Sequence, residues 1–164
     1  MYHGSNHLIL EDNLKPHISF DGQPYVYGTH DFAYALIRAG KFDPERPLIK
    51  EDYGGTLQPI TLVELQPNAF RETFDTVGYI YLVSNEYFTP LGNDYVSSSP
   101  VPIVNQTLIP NIWDFILRSP HINLIYYHGS DSYWQQLEGG KEAYMKRRQA
   151  RIEKLKEDIA HANR

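Results

Sequence analysis

Seven histidines are spread along a chain that contains no cysteine, so metal binding by imidazole and carboxylate is the first chemistry to weigh. His3 and His7 stand four residues apart, but on a Gly-Ser turn, and no carboxylate completes an H-E-x-x-H arrangement. They read as scattered loop and surface histidines. The lack of cysteine excludes disulfides, thiol nucleophiles and cysteine-based zinc sites. A G-x-S-x-G nucleophile elbow is absent, as are a P-loop and a G-x-G-x-x-G fingerprint. What remains is an ordered trio. Tyr2-His3-Gly4-Ser5 comes first, then Tyr25-Val26-Tyr27-Gly28-Thr29-His30-Asp31, and then Asn93-Asp94-Tyr95-Val96-Ser97.

These residues need elements to hold them. Tyr2 to Ser5 reads as a short strand that runs into a turn. Tyr25-Val26-Tyr27, flanked by Pro24 and Gly28, reads as a second strand. Thr29 is the expected N-cap of a helix in which Phe32, Ala33, Leu36 and Ile37 recur at helical spacing, with Gly40 as its C-cap. Lys41 to Gly55 carries Pro44, Pro47 and a Gly54-Gly55 pair, and is expected to be a long surface loop suited to a lid or to substrate contact. Thr61 to Leu65 and Val77 to Val83 read as strands. The nearly unbroken apolar run in the second predicts cover on both of its faces.

Tyr95 to Ser98 and Val101 to Leu108 are two further strand pieces, and Pro100 and Pro102 place the latter at an edge or a bulge. Ile112 to Leu117 is a short helix, and Ile122 to Tyr127 fits either strand or helix. A second Tyr-His-Gly-Ser, Tyr127 to Ser130, lacks a following Y-x-T strand. It reads as a boundary capped by Ser130 or Asp131 before a polar helix at Ser132 to Leu137. From Gly140 onward Ala143, Ile152, Leu155 and Ile159 lie among many charges, as in an amphipathic helix that packs one stripe on the body.

With 164 residues the chain has the size of one domain and can bury a core without staples. It shows no signal-peptide pattern and no apolar stretch of membrane-spanning length, so a cytoplasmic protein without membrane attachment is expected. The net charge of −5 divides unevenly. Residues 141–164 hold eight Lys/Arg against four Asp/Glu, while the remainder holds seven against sixteen. An acidic body argues against a broad nucleic-acid face, and Lys146-Arg147-Arg148 with Arg151 in the tail are the only footprint for one.

The order of the three motifs resembles the ADP-ribosyltransferase superfamily, in its H-Y-[E/D] branch. It looks most like the small rifampicin-type enzymes and related bacterial domains. There a Y-H-G-[ST] strand precedes a [V/I]-Y-x-[ST] strand with its helix, and then a G-x-I-Y-x-V strand, here Gly78-Tyr79-Ile80-Tyr81-Leu82-Val83. The likeness covers roughly residues 2–105 and leaves a long interior loop unmatched. It implies an α+β fold: a split antiparallel sheet with peripheral helices over residues 1–138, and a charged C-terminal helix over 139–164, packed on that domain or extending from it.

The resemblance also implies NAD as substrate, no metal, and transfer of ADP-ribose to an acceptor that the sequence does not identify. Cleaving the nicotinamide–ribose bond develops positive charge on the ribose, as in glycoside cleavage. By resemblance, His3 would hydrogen-bond the adenosine ribose and the Gly4 backbone would grip the nicotinamide amide, with Ser5, Thr29 and Tyr34 completing the NAD-binding set. Tyr27 would offer its face to nicotinamide. Asp94 would support the cation, although the family usually has glutamate there, and Glu86 in Ser84-Asn85-Glu86-Tyr87 competes for that role. Two other readings stand beside this one. The first is an inactive relative that binds a nucleotide or a partner. The second is an RNA 2′-phosphotransferase-like enzyme, for which only Lys15, Arg38 and Arg71 lie near the motifs to hold phosphate.

Overall fold

The computed structural model describes residues 1–18, 22–41, 49–52, 59–92, 94–126 and 139–162. Among these the first strands are β1 (Tyr2–Ser5), β2 (Asn13–Leu14), β3 (His17–Ile18) and β4 (Pro24–Gly28), followed by helix α1 (Phe32–Arg38). Then come β5 (Ile49–Asp52), β6 (Ile60–Glu64), α2 (Ala69–Phe74) and β7 (Gly78–Val83). A 3-10 turn at Asn85–Tyr87 leads into β8 (Thr89–Leu91), β9 (Asp94–Ser97) and β10 (Val101–Ile109). The chain continues through α3 (Ile112–Arg118), β11 (Ile122–Tyr126) and α4 (Gly140–Ala162).

The fold is α+β. One sheet has the order β1-β7-β10-β2, a second β11-β6-β5 and a third β3-β4-β9-β8. Every pairing is antiparallel except β11 with β6. That parallel pair settles Ile122 to Tyr126 as a strand, in register with Ile60 to Glu64.

β7 is the wall between two cores. Side chains alternate across a strand, so Ile80 joins the cluster formed by α1, α2, α3, β6 and β11, which includes Leu36, Ile37, Phe70, Phe74 and Ile112. Tyr81 and Val83 face the other way, toward Met1, Leu14, Val26 and Val101. The unbroken apolar run thus does have cover on both faces, except at Leu82, which is 37% exposed. A buried Leu or Ile contributes about 1.5–3 kcal/mol, and α1 alone buries Ala33, Tyr34, Ala35, Leu36 and Ile37. Pro102 pairs only with the two-residue β2, and the register shifts between Ile103 and Asn105, so the proline does stand beside a bulge.

Several expectations about elements need correction. Asp31, not Thr29, is the N-cap of α1: its side chain accepts from the Ala33 and Tyr34 N–H groups. Thr29 is still in the sheet, because its backbone exchanges two hydrogen bonds with Tyr2. At the other end Ala39 is the C-cap. Gly40 is needed for room, since a Cβ there would lie 2.7 Å from the Phe74 ring. Within the expected loop from Lys41 to Gly55, residues 49–52 form a strand on β6, and the rest beyond Lys41 lies outside the described residues. The second Tyr-His-Gly-Ser and the helix expected at Ser132 to Leu137 also lie outside them. Along α4, Ala143 and Tyr144 are half-buried and Met145 is 36% exposed. The side chains of Ile152, Leu155 and Ile159, the rest of its expected stripe, are outside the described set.

Candidate functional site

β1 and β4 meet at a single point. Tyr2 and Thr29 exchange backbone hydrogen bonds of 2.7 and 2.9 Å, and beyond that bridge the two strands belong to different sheets. This gap in strand pairing has His3, Gly4 and Ser5 on one side and Tyr27 and Tyr25 on the other.

Backbone alternation decides what faces this gap. Tyr2 turns its N–H and C=O toward Thr29, and the Met1 carbonyl accepts from Val83 on β7. In an antiparallel ladder successive residues point their peptide groups to opposite sides, so His3 pairs with Tyr81, and Gly4 turns its N–H and C=O to the β4 side. Its missing side chain answers a different need: a Cβ on Gly4 would lie 1.8 Å from the Ala35 carbonyl oxygen of α1. Only glycine lets the helix lie this close to the strand.

His3 reaches across the gap. Its Nδ1 is 2.8 Å from the Tyr27 carbonyl oxygen. A carbonyl only accepts, so Nδ1 carries the proton of the neutral ring and Nε2 the lone pair. Burial pushes the imidazole pKa below its ordinary 6.5 and the nearby His17 pushes the same way, against the Tyr27 hydrogen bond. His3 is therefore neutral at pH 7. Its ring lies 6.2 Å from that of Tyr81, whose buried hydroxyl accepts from the Ile9 N–H and donates to the His7 carbonyl, pinning the segment after β1. Tyr27 is half-buried, with the Tyr25 ring packed edge-on at 6.1 Å.

The acid lies one strand further on. Tyr27 is in register with Val96 on β9, so Asp94, two residues before Val96, shares the Tyr27 face of that sheet. Asp94 is half-buried, and its Oδ1 accepts from the Tyr34 hydroxyl of α1 at 2.8 Å. The Tyr34 hydroxyl in turn accepts from Arg38 Nη2, and the guanidinium carbon lies 4.8 Å from the Tyr34 ring centre. Desolvation raises the Tyr34 phenol to about 12, with Arg38 opposing the shift and Asp94 adding to it.

The expected residues thus fall into two groups, His3 with Tyr27 and Gly4, and Asp94 with Tyr34. No hydrogen bond joins the groups directly among the described residues. Glu86 is exposed on the 3-10 turn and belongs to neither. Ser5 closes a local turn, its hydroxyl donating to the His7 carbonyl and accepting from the His7 N–H. Thr29 Oγ1 accepts from the Asp31 N–H. Arg38, expected only as a cation available to phosphate, contacts Tyr34 instead. The Tyr34-to-Arg38 spacing of one helical turn was the signal for their contact, once α1 was known to bury Tyr34.

A separate open groove of about 750 Å³ runs between α1 and α3, lined by His30, Phe32, Leu36, Phe115, Arg118 and His121. It contains none of the residues expected to bind NAD. Among the described residues its one carboxylate, Asp31, is committed to capping α1. Among the described residues no three His, Asp or Glu side chains form a metal-binding group, and no helix is long and apolar enough to cross a membrane. Searches against protein-family models, curated proteins and solved structures find no match for this chain.

Proposed function

We propose that the chain is an NAD-dependent ADP-ribosyltransferase of the His-Tyr-acid type, with its cleft at the β1–β4 gap. The observation that carries this reading is the gap itself. A neutral His3 spans it to Tyr27, and the Gly4 peptide groups are turned to the same side. A carboxamide needs an acceptor for its N–H and a donor for its C=O, and a sheet-edge residue offers both, as C=O and N–H, from its backbone. His3 Nε2, with its lone pair, would accept from a ribose hydroxyl, and Tyr27 would present an aromatic face to nicotinamide.

In the reaction, the C1–N bond of the nicotinamide ribose breaks and its electron pair leaves with nicotinamide. The nucleophile of the acceptor bonds to C1 and its proton passes to solvent. Asp94 would offset the positive charge on the ribose in between, a role that falls to a fixed carboxylate in a site partly screened from water. Asp94, held on the Tyr27 face of its sheet, suits this role better than exposed Glu86. One observation favours a second reading, a nucleotide-binding relative without turnover: Asp94 already has one oxygen engaged by Tyr34. The phosphotransferase-like reading finds less support, since Arg38 is bound to Tyr34, Lys15 lies in an exposed pair with Glu11 at 2.6 Å and Arg71 is exposed on α2.

Nicotinamide release from NAD separates these readings. The transferase reading expects release by the wild-type protein, its loss in Asp94→Ala and its retention in Glu86→Ala. NAD binding without release, unchanged in both variants, supports the silent relative. No binding at millimolar NAD removes the transferase reading.

A further inference from the structure

Asp94 does not stand alone on its strand, and the way it is held points beyond its own role. Arg38 can only donate hydrogen bonds. Because its Nη2 donates to the Tyr34 oxygen, the single phenol proton of Tyr34 must be directed elsewhere, and among the described residues it is donated to Asp94 Oδ1. The direction of the whole chain is therefore fixed: guanidinium to phenol to carboxylate. Both ends are charged, which shortens and strengthens each link and lets one polarise the other. Tyr34 itself is 9% exposed and sits on a helix whose neighbours Ala33, Ala35, Leu36 and Ile37 are buried, so its ring has little freedom. One turn later, Arg38 lies over that ring.

We infer that Tyr34 and Arg38 are positioning residues, which anchor Asp94 Oδ1 to helix α1 and leave Oδ2 as the oxygen presented to the ribose. This rests on the ADP-ribosyltransferase reading. It accounts for an aspartate where glutamate is usual in that family. The shorter side chain has one torsion fewer to fix, and α1 supplies a rigid partner on one side of it. The relay also ties the acid to the same helix that Gly4 allows to pack against β1. Helix α1 thereby links the two halves of the site.

Two measurements test this, and only one of them depends on NAD turnover. In the kinetic arm, Tyr34→Phe removes the phenol and keeps the ring. Its kcat falls roughly tenfold to a hundredfold, the size of one lost hydrogen bond to a charged group, while KM for NAD moves by less than about twofold. Arg38→Met falls the same way and Arg38→Lys recovers part of the loss, because a cation remains over the ring. In the second arm, carbon-labelled tyrosine NMR follows the Tyr34 phenol. From about 12 it titrates lower in Asp94→Asn and higher in Arg38→Met.

Wild-type turnover with Tyr34→Phe at wild-type kcat, or a Tyr34 titration that ignores Asp94→Asn, overturns the relay and leaves the transferase reading standing. No wild-type turnover, with a Tyr34 titration that responds to both variants, upholds the relay's geometry and removes the transferase reading.

Discussion

Gly4 does two jobs with one atom's absence. Its peptide groups face the β1–β4 gap, and its bare Cα lets α1 approach until the Ala35 oxygen occupies the space a Cβ would need. Gly4→Ala is therefore expected to destabilise the fold by about 3 kcal/mol, at the upper end for forced overpacking, read as a drop in thermal midpoint. His3 makes a prediction of different kind. Its folded-state pKa lies below the ordinary 6.5, so the unfolded chain takes up its proton first as pH falls. The stability it contributes is present above pH 6.5 and is lost as pH falls through the lower folded value. Urea midpoints measured from neutral to mildly acid pH should fall in the wild type, and fall less steeply in His3→Asn. Residue types in order (histidine, glycine, tyrosine, acid) were enough to mark these positions in sequence. The pairing of Asp94 with Tyr34 was hidden, because it depends on how far α1 lies from β9, and no local pattern encodes that distance.

At the scale of elements, strong local signals survived and weak ones did not. β1, β4, β7, β9, β10 and the short helix α3 lie where the sequence places them. β5 reads Ile-Lys-Glu-Asp, which has no strand signature, and forms because β6 needs a second partner beside β11. The two-residue strands β2 and β3 are pairing events too short to carry a period. Helix α2 was missed for another reason: its start is built from tertiary contacts. Asn68 sits at φ 67° and gives no side-chain cap. The Phe70 N–H instead donates, at 2.9 Å, to Glu64 Oε2 at the end of β6, and Glu64 is 3% exposed. A buried carboxylate at a helix start satisfies a donor that would otherwise be stranded. Glu64→Ala should cost about 1–3 kcal/mol by chemical denaturation, whereas capping by a sequence-local residue would have made the change nearly neutral.

For the whole molecule, the split between the sheets is the central feature. Its origin is physical: β4 carries Val26 and Gly28 into the core shared with Met1 and Leu14, while Gly4 turns its bare Cα to α1 on the opposite side of β1. The strands can stay paired only where these demands coincide, at Tyr2 and Thr29. This geometry is built wholly within the acidic body. Among the described hydrogen bonds none joins the basic segment to the gap, which is bridged within the body by His3 and Tyr27. NAD titrated into nitrogen-labelled protein reads the gap directly. Binding there shifts the amide resonances of Gly4 and Tyr27 first, in a saturable way, and leaves those of Phe115 and Arg118 in the α1–α3 groove in place. No shift at Gly4 at millimolar NAD, or shifts confined to the groove, would show that the β1–β4 gap is not a dinucleotide site.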